Sequence, residues 1–105
     1  MDPRIERLEE VIKERKGADP SSSYVASLFA KGTAKIAQKV GEEATETIIA
    51  ALHEGPEKLT SEAADLIFHL SILLADAGLS MDDVLSELER REGVSGKEEK
   101  ASRKG

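Results

Sequence analysis

One helical rhythm holds from Thr33 to about His53, and the pair Gly55-Pro56 cuts it off. A second rhythm follows almost at once. Leu66, Ile67, Leu70, Leu73 and Leu74 recur at the spacing that gathers apolar side chains on one helix face. Proline lacks the backbone N–H and crowds the turn before it, so Gly-Pro ends the first helix firmly. Two long helices joined by so short a loop are antiparallel neighbours. That hairpin is the predicted frame of the molecule.

Shorter elements surround it. Asp2 and Pro3 make a cap and first turn, after which Ile5, Leu8 and Ile12 keep helical spacing until Gly17. "GADPSSS" is turn chemistry, and "YVASLFA" reads as a short helix ending near Gly32. Thr60 or Ser61 is the expected cap of the second long helix, which runs to about Ala77 and stops at Gly78. Ser80 with Asp83 has the form of a capping box for a last helix through about Arg91. No segment alternates with the period of a strand. The predicted fold is therefore all-α, a helical bundle over residues 1–92 with a basic tail over 93–105. A chain of 105 residues has only a modest core, yet its long helices are strongly apolar. Part of that apolar face is expected to be buried in a homodimer.

Charge and composition narrow the functions. Lys and Arg number 15 against 21 Asp and Glu, a net charge of −6, which argues against a nucleic-acid partner. The chain has no cysteine, which removes disulfides, thiolate catalysis and sulfur-ligated metals. "MDPRIERLEE" is charged where a signal peptide would be apolar, and "ADLIFHLSILLADAGL" is too short and too interrupted to span a membrane. A cytoplasmic protein is expected.

The chemistry gathers around "KVGEEATE". On a helical wheel Lys35, Lys39, Glu42 and Glu46 share one face of the first long helix, with Glu43 at its edge. Glu62, Asp65 and His69 share a face of the second. The hairpin can bring Glu42, Glu43, Glu46, Glu62 and Asp65 together. A solvated face normally mixes charges, but the second helix, started at Thr60 or Ser61, holds no lysine or arginine. Acid without base on a half-buried helix calls for a cation. All-oxygen ligands suit Mg²⁺ or Mn²⁺, which share their sphere with substrate phosphates, and Lys35 and Lys39 are placed to hold those phosphates. Water attack on a phosphoanhydride is the implied reaction. No glycine-rich phosphate loop is present, so it is not P-loop chemistry. His69 either touches this site or is a satisfied helix histidine. His53 reads as a helix-end charge, and Tyr24 and Phe29 as packing residues. Gly41, inside a helix, hints at a close backbone approach.

"EEATE" with "EAAD" after it resembles the E-E-x-x-E … E-x-x-D signature of the all-α, MazG-like nucleotide pyrophosphohydrolases. "SYVASLFAKGTAKIAQKVGEEATET" and "SEAADLIFHLSILL" more narrowly resemble the phosphoribosyl-ATP pyrophosphohydrolase family, across roughly residues 4 to 91. Val25 departs from the threonine common in that family and touches no catalytic role. The resemblance implies Mg²⁺-dependent hydrolysis of phosphoribosyl-ATP to phosphoribosyl-AMP and pyrophosphate, the second step of histidine biosynthesis. It implies Glu43, Glu46, Glu62 and Asp65 as metal ligands, Glu42 as the carboxylate that positions water, and Lys39 as a phosphate contact. It also implies a dimer, with the cyclohydrolase that acts next as a separate protein. Two alternatives stand beside it: a related hydrolase of dUTP or non-standard nucleoside triphosphates, and a non-enzymatic helical module that binds metal or a partner. The basic residues Arg90 and Arg91, or the tail with Lys97, Lys100, Arg103 and Lys104, are expected either to close over the remote phosphate of phosphoribosyl-ATP or to form a solvated, solubilising end.

Overall fold

The computed structural model describes residues 1–93, and among them it contains helices and no strand. The helices are α1 (Pro3–Arg15), α2 (Tyr24–Lys31), α3 (Thr33–His53), α4 (Pro56–Asp76) and α5 (Met81–Arg90). The fold is all-α. α3 and α4 are 21 residues each, about 30 Å of helix. Glu54 and Gly55 separate them, and the Thr33 hydroxyl at the start of α3 donates to the Asp76 carboxylate at the end of α4. Two helices tied at both ends in this way run side by side in opposite directions.

Local chemistry sets the ends. The Asp2 carboxylate accepts from the Arg4 N–H, and the Ser23 hydroxyl accepts from the Ala26 N–H. Ser80 and Asp83 form the reciprocal capping box at the start of α5. The start of α4 differs from the expected one. Gly55 adopts φ 90, a conformation open to glycine, and Pro56 then opens α4 in place of Thr60 or Ser61. Gly-Pro thus ends one helix and begins the next. The change brings Lys58 into α4, so the helix does carry a base.

The core sits at the end of the hairpin where α1 and α2 pack. Ile12, Val25, Leu28, Ile36 and Ile72 meet there, with Leu8, Phe29, Phe68 and Leu73 against them. Val25 is part of this core. The stripe expected from Leu66 to Leu74 is only half-buried, and Ile67 is exposed. What α4 buries instead is Glu62, His69, Ser71 and Ile72, because α3 and α1 both pack on it, with Ser71 on the side toward α1. Gly41 has open space where a Cβ would stand, so no close backbone approach explains it. No single helix among the described residues is long and apolar enough to cross a membrane.

Candidate active site

Ile36, Glu43 and Ala50 are the buried residues of α3 and recur every seven positions, so one seam along the helix carries all three. Glu43 therefore lies in the seam, where the wheel put it at the edge of the charged face. Glu42 and Glu46 flank it on the exposed side. Glu62 faces Glu43 from α4, and each keeps only 7% of its surface exposed. Carboxylate oxygens of Glu43, Glu62 and Asp65 all lie within 4.8 Å of one another. Like charges so close repel, and the strain appears on the neighbouring acid: Glu62 beside it, then Glu43, holds Glu46 above its ordinary value. The hairpin thus brings Glu43, Glu62 and Asp65 together, with Glu46 beside Glu62 and Glu43.

Two cations border this point. Lys39 Nζ lies 3.0 Å from Glu42 and 3.9 Å from Glu43. Lys58 Nζ lies 3.2 Å from Glu62. Lys58 escaped sequence reasoning because the helix was started after it, although its spacing from Glu62 is the ordinary one for a helical pair. Glu42 belongs to the rim. It accepts from Lys39 and from the Gln38 amide, and these bonds hold it below the usual carboxylate range. Lys35 stands one turn before Lys39, half-buried.

Neither lysine satisfies the innermost atoms. Glu43 Oε2 and Glu62 Oε2 are buried without any hydrogen-bond partner. Leaving such an oxygen unpaired is costly, so these atoms are set for a ligand that the protein does not itself supply. A hard divalent cation accepts oxygen ligands of this kind, and the donor set fits one.

His69 closes the inner wall. Its Nδ1 is 2.7 Å from the Asp65 carbonyl oxygen, which can only accept, so Nδ1 carries the hydrogen. Nε2 is left to accept from the Tyr24 hydroxyl, also at 2.7 Å. Both nitrogens of His69 are thus engaged. Tyr24, expected merely to pack, instead reaches from α2 to the rim of the acid site. Burial raises its phenol pKa, Lys39 opposes, and the charges of Glu43, Glu42 and Asp65 add to the rise. No local pattern announces a contact across 45 residues of chain.

A cavity of about 310 Å³ opens on this cluster, lined by Glu46, Ile49, Glu54, Lys58 and Glu62. A larger one, about 530 Å³, lies between α1 and the α4–α5 turn, beside Glu9, Lys13, Lys16 and Leu79. Size favours the second and chemistry the first, since only the first adjoins a buried carboxylate oxygen without a partner, that of Glu62. The chemistry decides. Arg90 and Arg91, considered for the remote phosphate, both pair with Glu87. Lys97, Lys100, Arg103 and Lys104 lie outside the described residues.

Comparison with known proteins identifies the family. The family model for phosphoribosyl-ATP pyrophosphohydrolase matches residues 5–92. A phosphoribosyl-ATP pyrophosphatase of Zymomonas mobilis is 66% identical over 96 residues, 91% of this chain and 90% of the relative. One from Rhizorhabdus wittichii is 59% identical and covers 98% of this chain and 97% of its own. One from Erythrobacter litoralis is 62% identical, covering 94% and 95%. With its acid seam, its helical hairpin and these relatives along nearly its whole length, the chain belongs to the phosphoribosyl-ATP pyrophosphohydrolase family.

Proposed function

We propose that this protein hydrolyses phosphoribosyl-ATP to phosphoribosyl-AMP and pyrophosphate, the second step of histidine biosynthesis, in the cytoplasm and with Mg²⁺. Glu43, Glu46, Glu62 and Asp65 would hold the ion, and Mn²⁺ would be able to replace it. The observation that carries this reading is the pair of buried, unpartnered oxygens on Glu43 and Glu62, within reach of Asp65. A cation bound there would supply polarisation of the phosphoryl oxygens and a more acidic water.

The chain's own residues do the rest. Glu42 is kept ionised by Lys39 and Gln38, so it accepts a hydrogen bond from the attacking water and fixes its direction. Lys39 and Lys35 offer N–H donors to the outer phosphates. The water oxygen forms a new bond to phosphorus, and the anhydride bond breaks. The electron pair of that bond leaves with the product on its far side, phosphoribosyl-AMP or pyrophosphate according to which phosphorus is attacked. The water's proton passes to solvent, because Glu42 is too weak a base to keep it. His69 serves by holding Tyr24 and the Asp65 backbone in place, since a direct substrate contact would break one of its two bonds.

A second copy of the chain covers the exposed apolar side chains Ile48, Ile49, Leu52 and Ile67, which lie on the two long helices. On this reading the protein is a dimer at micromolar concentration, and its melting temperature falls on dilution.

The direct assay is pyrophosphate release by the pure protein from phosphoribosyl-ATP, beside ATP and dUTP, with Mg²⁺ or with EDTA. Release from phosphoribosyl-ATP, lost in EDTA, is the expected result. Preference for dUTP would assign the chain another substrate, and no release from any nucleotide would remove the enzymatic reading.

A further inference from the structure

The chain has three aromatic residues among 105, one tyrosine and two phenylalanines, and no tryptophan. Phe29 packs against the core with the Lys16 ammonium 5.8 Å from its ring centre. Phe68 packs against the core as well. Tyr24 alone is open to solvent, 48% exposed.

Its exposure is unusual in kind, because the ring is held. The hydroxyl is tied to His69 at 2.7 Å, and His69 is tied in turn to the Asp65 carbonyl. Phe68 lies nearly parallel to the Tyr24 ring, 19° off with centres 6.4 Å apart. His69 meets the Tyr24 ring edge-on, at 81°. A fixed aromatic ring presents a face with its ordering cost already met. Two hydrogen bonds and the width of one imidazole separate the Tyr24 hydroxyl from the backbone of Asp65. The ring thus stands beside the wall that carries Asp65, one of the three acids gathered in the seam.

We propose that Tyr24 is the stacking platform for the purine base of the substrate, seated at the rim while the triphosphate reaches the acid seam. This deepens the function proposed above and rests on it. Stacking on an aromatic face tolerates any purine and adds affinity without entering the chemistry. Removing the ring therefore raises KM for phosphoribosyl-ATP and leaves kcat nearly unchanged. The hydroxyl only holds the ring, so phenylalanine at this position retains most of the affinity.

Two readouts test this once pyrophosphate release by the wild-type protein is established, which keeps a failed function separate from a failed platform. The first needs no variant. Tyr24 is the only tyrosine in a chain without tryptophan, so the protein's intrinsic emission comes from this ring alone. Titration with phosphoribosyl-AMP and Mg²⁺ should quench it, and ribose 5-phosphate, which has no base, should not. The second is steady-state kinetics of Tyr24→Leu and Tyr24→Phe, both checked for an unchanged Mg²⁺-induced rise in melting temperature. Roughly a tenfold rise in KM for leucine, with a far smaller one for phenylalanine, is expected. Unquenched emission at saturating phosphoribosyl-AMP would overturn the proposal. So would a leucine variant with wild-type KM, or equal losses in both variants, which would put the effect in the hydroxyl.

Discussion

Ile36 and Glu43 sit two turns apart on the same seam of α3, and both are buried, at 0% and 7% exposure. Around Ile36 the neighbours are Ile12, Val25, Leu28 and Ile72, each filling space and removing apolar surface from water. Around Glu43 the neighbours are Glu62, Asp65 and Lys39, and one oxygen of each buried glutamate has no partner. One helix face thus does two opposed things. The half near Ile36 supplies stability, and the half near Glu43 spends it on two buried charges, which the packing elsewhere allows the hairpin to tolerate.

The largest expected effect separates the two halves by activity. Glu43→Gln should lower turnover more than roughly a hundredfold, the scale on which single electrostatic contacts act on such transition states. Its circular dichroism spectrum should stay that of the folded helices. Near-wild-type pyrophosphate release would remove Glu43 from the site. The next effect reverses the pattern. Ile36→Ala empties part of a filled core and should cost about 2–5 kcal/mol of stability in denaturant unfolding. Where the variant remains folded, its kcat should stay near that of the wild type. A large loss of kcat there would show that the halves are not separable.

A third difference concerns pH. Glu46 is raised above its ordinary 4.5 by Glu62 and then Glu43, so the folded protein holds its proton more tightly than the unfolded chain. Stability in EDTA should therefore fall as pH rises through the window above 4.5, where the folded state binds the extra proton. Glu87, held at about 2 by Arg90, acts with the opposite sign, and its window lies below 4.5. Glu46→Gln should flatten the upper slope and leave the lower one. Melting temperatures of both proteins across pH 2 to 8 read this directly, and equal upper slopes would contradict it. The smallest effect lies between the halves. Gly41 is exposed in mid-helix with open space around it, so Gly41→Ala should add about 0.5–1 kcal/mol of stability. A loss would point to a use for the bare backbone there.

Much of this was legible in the residues. The rhythm of Thr33 to His53, the Gly-Pro break and the Ser80–Asp83 box are local signals, and the helices follow them. The carboxylates also declared themselves, because acids at spacings of three and four on an apolar helix have little reason to exist alone. What the sequence concealed is tertiary. Periodicity tells which residues share a face, but not which face meets the partner helix. Glu43 was therefore set at an edge, and the Leu66–Leu74 stripe was set inside. Lys58 was missed because the helix cap was expected at Thr60 or Ser61 and stands at Gly55, and Tyr24 because its partner is His69, far along the chain.

The claim beneath all of this is that Glu43 and Glu62 are buried for the sake of a cation, at the expense of the empty protein. Thermal unfolding of wild type and Glu43→Gln, each in EDTA and in saturating Mg²⁺, tests it. In EDTA the variant should melt higher than wild type, because one of the facing charges is gone. With Mg²⁺ at a hundred times its Kd, wild type should gain about 2.7 kcal/mol, and the variant far less. A variant that melts lower in EDTA and gains as much from Mg²⁺ as wild type would contradict the claim.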